Sequence, residues 1–419
     1  MTILIFLILS FSYVYFLYKH NFRFISLFWT LMFSISLLLP VLIGKYFNYG
    51  YIINDAIYNK LDKIYLLCLI VFIISNIPFQ LKKIRFKDGN IKLIKYNNIK
   101  VSNNIYSVLS LILIIMLGVE VITTGTVSTL ELNSWVKMLQ GSILLGLLYT
   151  SYLRFLFADN KKTKVISLLI IIISLLIVLT FIFGRRILIY PTIAAIVLYI
   201  YRTGYKPSIL KVSILSIFSI FIGLPLLMSI RTLGIKDGVS NFIEIIKGDY
   251  NQYLNYLAIG TDVTYSYSLA AIILSEDVKI TFLTLFKPLF IFIPRSIWPN
   301  KPEALSEALV HKVNLPFEKG MSIPPGLVGE SYVYFGIIGV ILVGIIFGVI
   351  CGIADNYSQH LIKQKNGRNS INLIMVIIVM IQIIMGSIRG DTATNIQESL
   401  YLFLPLLLIL NFSRYKFKI

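Results

Sequence analysis

Six cationic side chains stand beside apolar runs or among prolines, in positions where they could bind an anionic ligand. They are Arg185 and Arg186 in "FIFGRRILIY", Arg231, Arg295 and Lys301 in "IFIPRSIWPNKPEA", and Arg389 at the start of "RGDTATNIQE". A guanidinium group keeps its charge and binds phosphate oxygens through two parallel hydrogen bonds. The set therefore predicts a shared anionic ligand, a pyrophosphate held near the level of lipid headgroups.

Each cation also has a simpler interpretation. A single arginine at a membrane surface can extend to lipid headgroups or pair with a local acid such as Asp391. In "IPRSIWPNKP", Pro294 restrains the backbone before Arg295, Pro299 and Pro302 flank Lys301, and Trp298 suits an interfacial position. Proline and tryptophan also occur where an interfacial helix simply ends.

Four side chains on the predicted external side could serve as a general base. They are Glu330, His311, Asp391 and Glu398. Glu330 precedes an apolar run in "PGLVGESYVYFGIIG", where capping of its own helix explains a carboxylate as well as catalysis does. His311 in such a loop is more often a solvated residue than a base. We assign Arg295 and Glu330 to catalysis, and the other cations, Trp298 and His311 to substrate binding.

Metal ligands are not grouped in this sequence. No Asp-x-Asp pair occurs, and the three histidines, His20, His311 and His360, are scattered along the chain. Hard cations in proteins bind to clustered oxygen ligands, and zinc sites need closely spaced histidines or cysteines. The sequence therefore predicts no metal and no cofactor.

Long apolar runs must position these side chains. Of the 419 residues 57% are hydrophobic and 14% charged, which is typical of a multispanning membrane protein. A span needs roughly 20 helical residues. Eleven runs qualify, at 2–18, 24–43, 64–80, 104–123, 138–157, 165–183, 187–201, 212–230, 332–353, 371–388 and 396–412. We predict an all-α membrane protein with about 11 spans.

The connections between these runs alternate in charge. One set holds 21 of the 38 basic residues and three acidic ones, which places it in the cytoplasm by the positive-inside rule. The connection 231–331, between spans 8 and 9, carries nine basic and ten acidic residues and falls on the external side. Its segment "TFLTLFKPLFIFIPRSIWPN" is too interrupted to span and is expected to be interfacial or re-entrant.

The net charge of +19 is thus mainly a topology signal, together with attraction to anionic lipid. No basic groove with interleaved aromatic residues suggests nucleic acid. The spans carry few charges, and Glu120 and Arg154 lie near span ends, which argues against a coupled transporter. Without repeats or linkers, residues 1–419 are predicted to form a single membrane domain.

Three motifs together resemble the Wzy-type oligosaccharide repeat-unit polymerases of O-antigen and capsule synthesis. They are "GRR" after a span, "IPRSIWPNKP" in the long loop, and "PGLVGESYVYFGIIG" leading into a span. The motif resemblance covers roughly residues 184–400, and it is the source of the functional weight of Arg295, Trp298, Lys301 and Glu330. It implies a GT-C-like glycosyltransferase in the bacterial inner membrane with its active site on the periplasmic face.

The resemblance also implies the substrates. Such an enzyme moves a growing glycan from undecaprenyl pyrophosphate to the non-reducing end of a new lipid-linked repeat unit, alongside a flippase and a chain-length regulator. An O-antigen ligase would use the same donor with a lipid A core acceptor, and a lipid-linked oligosaccharide flippase would catalyse no transfer. A flippase should carry charge along an internal cavity, and these spans are nearly bare.

Overall fold

In the computed structural model the chain is helical almost throughout, and no strand occurs in the part that it describes. The structure describes residues 1–19, 23–43, 55–82, 84, 86, 96–124, 134–181, 185–205, 207–208, 211, 214, 217–248, 252–254, 256–257, 263–290, 293, 297–312, 324–364, 367–396 and 399–400. The expected all-α class is confirmed.

Twelve α-helices are numbered here in chain order. They are α1 Thr2–Lys19, α2 Phe24–Val41, α3 Asp55–Leu81, α4 Tyr96–Thr124, α5 Ser134–Leu156, α6 Lys161–Phe181, α7 Arg185–Thr203, α8 Leu224–Gly248, α9 Val263–Ser275, α10 Leu305–Lys312, α11 Gly326–Lys363 and α12 Ile371–Arg389. Short π and 3₁₀ segments lie at Ser219–Gly223, Phe282–Phe290 and Gly367–Asn369.

Most predicted spans coincide with observed helices, because a long apolar run in lipid must satisfy its backbone internally. Within the described residues, α1, α2, α3, α11, α12 and Tyr96–Met116 of α4 are long and apolar enough to cross a membrane. A multispanning membrane protein is therefore supported. The count of 11 and the GT-C-like architecture remain predictions, and nearly all of the last predicted span, 396–412, lies outside the described residues.

The long connection 231–331 is itself largely helical where it is described. Helix α8 continues to Gly248, beyond the predicted span end at 230, since a helix need not stop where hydrophobicity does. It is not straight, because the Ser229 hydroxyl donates to the Gly238 carbonyl at 2.7 Å, whereas nine residues of straight helix rise about 13 Å. The interrupted apolar segment forms the 3₁₀ helix Phe282–Phe290 and contributes no candidate span.

Residue contacts divide the chain into two compact units. The first comprises Met1–Phe86, Lys206–Tyr357 and Ile383–Ile396, and the second Lys87–Tyr205, Ser358–Gln382 and Gln397–Ile419. The prediction of a single membrane domain remains a prediction. In the second unit α5 packs against α4, α6 and α7. The Arg154 guanidinium there donates to the Asn103 side chain at 3.1 Å, so it has a polar partner.

The first unit has an aromatic core where α1, α2, α3 and α11 meet. The Trp29 ring stacks between Phe72, at 3.7 Å between centroids, and Phe33, at 4.7 Å. Phe33 in turn stacks against Tyr65 of α3 at 5.4 Å. Large rings of this kind bury much apolar area, which fixes α3 against α2.

A buried polar network ties the same helices together, and we call it the Asp355 network: Ser26, Asn76, Gln80, Asp355 and Asn356. Asp355 of α11 is 0% exposed and accepts the amides of Ile25 and Ser26, each at 3.0 Å, and the Ser26 hydroxyl at 2.6 Å. Asn76 and Gln80 donate to the same hydroxyl at 3.1 and 3.0 Å. The carboxylate thus caps the start of α2 from another helix.

Candidate active site

The start of α11 and the segment after α12 are joined through Glu330. The Thr392 amide donates to Oε1 and Oε2 of Glu330 at 2.8 and 3.0 Å, and the Thr392 hydroxyl donates to Oε2 at 2.8 Å. Glu330 is only 4% exposed. Its carboxylate therefore caps the helical turn 392–396, 62 residues away, and not the start of its own helix.

The backbone between Arg389 and Thr392 is unusual. Gly390 and Asp391 both have positive φ, at 88° and 60°. A Cβ at residue 390 would lie 2.6 Å from the Gly326 nitrogen, so only glycine fits there. Asp391 is one of two non-glycine residues with positive φ in the described part of the chain, and such backbone often marks a functional site.

Asp391 lies close to Glu330 in the chain's fold and is held by the long loop. Its Oδ2 accepts the Ser306 hydroxyl at 2.7 Å, and its Oδ1 accepts the Thr394 amide at 3.3 Å. Ser306 and Asp391 are 3% and 5% exposed. We call Ser306, Glu330, Asp391 and Thr392 the carboxylate cluster.

Apolar packing explains why Ser306 points at this cluster. Leu305 and Leu309 of α10 are fully buried against Leu269 and Ile273 of α9 and Val333 of α11. Because these apolar positions are four apart, one face of α10 is fixed and Ser306 beside it is placed next to Asp391. A second tie joins Tyr334 of α11 to Thr284 of the 3₁₀ segment, with their hydroxyls 2.5 Å apart.

A third buried carboxylate, Asp62 of α3, lies close by and was not predicted. Its Oδ1 accepts the Tyr267 hydroxyl at 2.6 Å, and Asp62 is 2% exposed. Ser266, the neighbour of Tyr267, and Tyr65 approach Gly326, whose hypothetical Cβ would be 3.4 Å from Ser266 Cβ and 3.7 Å from Tyr65 Oη. Ser266 and Tyr65 therefore lie beside the start of α11, and Tyr267 and Asp62 are their near neighbours in α9 and α3.

A local signal for Asp62 existed. Asp62 and Tyr65 are three apart, so they share one face of α3, and both are buried. In "NKLDKIY" the aspartate stands between Lys60 and Lys63, and it is easily taken for part of a charged helix end. The partner Tyr267 is 205 residues away, and no pattern in the sequence joins the two.

The predicted cations are placed differently from one another. Arg389 ends α12 and is half-buried, two residues before Asp391 in the chain. The Lys301 ammonium donates to the Ile293 carbonyl at 3.0 Å. Trp298 packs its edge on the Phe290 ring at 5.2 Å. Lys301 and Trp298 therefore have structural contacts of their own within the loop.

Most of the remaining predicted residues fall outside what the structure describes. Arg295 and Glu398 lie outside the described residues. Arg185 begins α7 with Arg186 after it, and Arg231 is in α8; their side chains also fall outside what is described. His311 is exposed at the end of α10, whereas Ser306 on the same helix is buried. Their roles stay predictions.

The cluster is suited to proton transfer and sugar binding. It contains two buried carboxylates and hydroxyl groups that orient them, in a surrounding that strengthens electrostatic interactions. In the described part of the chain, no three His, Cys, Asp or Glu side chains are grouped so that they could hold a metal ion.

A protein-family comparison covers the chain from end to end. The family described as O-antigen polysaccharide polymerase Wzy matches residues 1–418. Neither the curated proteins nor the solved structures contain a match to this chain. The family match includes every residue of the carboxylate cluster and every predicted site residue.

Proposed function

This chain belongs to the O-antigen polysaccharide polymerase Wzy family, and we propose that it polymerises repeat units by glycosyl transfer from a polyprenyl pyrophosphate donor, with Asp391 as the base. The observation that carries the proposal is the cluster itself. A long loop, α11 and the segment after α12 meet at two buried carboxylates, and Arg389 precedes Thr392 of this segment by three residues in the chain.

The proposed step is a displacement at the anomeric carbon of the growing glycan. A hydroxyl of the incoming repeat unit forms the new glycosidic bond, the bond to the diphosphate oxygen breaks, and the electron pair leaves with the lipid diphosphate. The hydroxyl proton passes to Asp391. A pyrophosphate is already a good leaving group, so the enzyme needs positive charge to stabilise it more than it needs a strong acid.

The cations are proposed to supply the positive charge that stabilises the leaving diphosphate. Arg389 and Arg295 are proposed to hold the departing diphosphate, with Arg185, Arg186, Arg231 and Lys301 as further candidates. Two arginines gripping one diphosphate would act without a resident metal. Trp298 and His311 remain candidates for contacts with the lipid or sugar.

Glu330 is better suited to positioning than to proton transfer. Three hydrogen bonds from Thr392 already occupy its oxygens, whereas Asp391 receives one short bond and one long bond. Asp391 also has the positive φ. Glu330 is proposed to fix Thr392 and so set the direction of the Asp391 side chain.

The test uses purified protein and a lipid-pyrophosphate-linked oligosaccharide, with products sized. Asp391→Asn should lower kcat by about 10²–10⁴-fold, the usual value of a general base. Glu330→Gln keeps an oxygen for Thr392 and should cost about tenfold or less. Asp277→Asn, an exposed carboxylate 3.0 Å from Lys279, is the matched control and should leave activity unchanged.

Two results would contradict this assignment. If Glu330→Gln abolished polymerisation while Asp391→Asn retained it, the base would be Glu330. If no variant changed the product lengths, the carboxylate cluster would not be the active site. A flippase would transfer no sugar in this assay, and a ligase would accept lipid A core but would not extend repeat units.

The external placement of the loop is a separate proposal with its own test. The native Cys68 and Cys351 are both buried, which gives a low labelling background. A membrane-impermeant maleimide applied from the periplasmic side should label Asp277→Cys and leave Lys162→Cys unlabelled until the inner membrane is opened. The reverse pattern would place the loop in the cytoplasm.

A further inference from the structure

A second polar site lies within the unit that contains α4–α7. A cavity of about 340 Å³ is lined by Arg202, Ile362, Gln364, Arg368 and Asn369. Two guanidinium groups and two amide side chains thus face one space, and no acidic residue lines it. The cavity is built from the ends of α7 and α11 and the 3₁₀ turn Gly367–Asn369.

Both arginines are oriented by contacts that leave their charge uncompensated. The Arg202 guanidinium carbon lies 4.1 Å from the centre of the Phe157 ring, a cation–π geometry. Arg368 donates through Nη1 to the Arg202 carbonyl at 3.4 Å. Gly204 ends α7 with φ of 70°, and a Cβ there would lie 3.3 Å from Arg368 Nη1. The turn therefore makes room for the second guanidinium.

Neither arginine has an ion pair of 4.0 Å or less within the described residues. Asp159 influences Arg202 electrostatically, but not through a direct bridge. Arg202 Nη1 is buried and has no hydrogen-bond partner among the residues that the structure describes. A buried donor of this kind normally has a partner, and two guanidinium groups around one cavity repel each other unless an anion lies between them.

We propose that this cavity binds a phosphate group, through Arg202 and Arg368 with Gln364 and Asn369 completing the hydrogen bonds. A planar guanidinium group can donate two parallel hydrogen bonds to phosphate oxygens, and the side-chain amides supply neutral donors. Arg202 lies in the last turn of α7, the end of an apolar helix, where a headgroup phosphate would be within reach. The positive-inside pattern assigns this end to the cytoplasm. The site is independent of the carboxylate cluster.

The phosphate could belong to an anionic lipid or to a soluble ion, and the experiment separates the two. Full-length protein in detergent is examined by native mass spectrometry with phosphatidylglycerol or with diacylglycerol, which lacks phosphate. In parallel, the melting temperature is measured with inorganic phosphate added. We expect retention of phosphatidylglycerol and not of diacylglycerol; a rise in melting temperature with phosphate alone would indicate the soluble ion.

Variants connect the binding to this cavity. Arg368 is exposed, so Arg368→Gln should fold normally and should weaken phosphate binding about tenfold or more. Arg202→Lys keeps the charge but loses the fork, and should weaken binding less than Arg202→Gln. Lys162→Gln, an exposed cation of the same unit, is the control and should bind as the native protein does. Equal binding by Arg368→Gln and Arg202→Gln, or no binding by the native protein, would overturn the proposal.

Discussion

Glu330 and Asp355 lie in the two segments of α11, which is interrupted by non-helical backbone at Gly336, and they receive similar hydrogen bonds. Glu330 accepts the amide and the hydroxyl of Thr392, and Asp355 accepts the amides of Ile25 and Ser26 and the Ser26 hydroxyl, in each case from the start of another helical segment. Each is nearly or fully buried. Capping geometry alone therefore does not distinguish a structural carboxylate from one at a functional site.

The surroundings of Glu330 and of Asp355 do distinguish the two carboxylates. Asp355 lies within a network of amides and a serine, and the nearby Arg23 side chain donates to Asn356 at 3.3 Å. Glu330 is next to a second carboxylate and to positive-φ backbone. Two neighbouring carboxylates, or an aspartate with left-handed backbone conformation, contribute little to protein stability. These features therefore point to function.

The largest expected effect comes from Asp355→Ala. It leaves two buried amides and a buried hydroxyl without an acceptor, which costs about 3–5 kcal/mol for a broken buried network. The folded yield and the melting temperature in detergent should fall sharply. Asp355→Asn retains one acceptor oxygen and should restore much of the stability with normal polymer length. Full activity and stability of Asp355→Ala would remove the contrast with Glu330.

Gly390→Ala should affect the carboxylate cluster next most strongly. An alanine Cβ would meet the Gly326 nitrogen and would require φ near 88°, a cost of about 1–3 kcal/mol. Because Asp391 follows directly, we expect a fall in kcat that is larger than the loss of folded protein, judged from the melting temperature, would explain. Gly223→Ala, which has nothing within 4 Å, is the control. Parallel behaviour of the two variants would show that the positive φ at 390 is unimportant.

Tyr267→Phe tests whether Asp62 belongs with the functional carboxylates or with the structural ones. Loss of the hydroxyl leaves a buried acid without its 2.6 Å donor and should cost about 1.5–3 kcal/mol. A structural role predicts a lower melting temperature with unchanged kcat and KM. A role at the site predicts a changed kcat, measured in the polymerisation assay on protein of verified folding.

The smallest expected effect is that of Ser306→Ala. It removes one hydroxyl donor to Asp391, worth about 1 kcal/mol, and should lower kcat by a few-fold. Ser275→Ala, which removes an exposed hydroxyl that donates to the Ile272 carbonyl at 2.9 Å, should be neutral. Equal activity of the two variants would mean that Ser306 does not orient the base.

Much of the fold followed from the sequence, because helices in lipid are decided locally. The apolar runs at 2–18, 24–43 and 371–388 agree closely with α1, α2 and α12. The predicted helix boundaries were wrong where a helix continues with polar residues past an apolar run. An example is α8, which continues to Gly248. Glu330, Asp391 and Arg389 were recognised by residue type and position, whereas Asp62, Tyr267 and Ser306 were not.

The sequence by itself determined the class of protein, the apolar segments that become helices, and the three motifs that resemble those of a polymerase family, because hydropathy and local motifs are properties of short stretches. Only the tertiary structure decided which carboxylates share a site. The bonds between Glu330 and Thr392, Asp62 and Tyr267, and Ser26 and Asp355 join residues 62, 205 and 329 apart. Contacts at such separations depend on how helices pack, and packing is not written in any one segment.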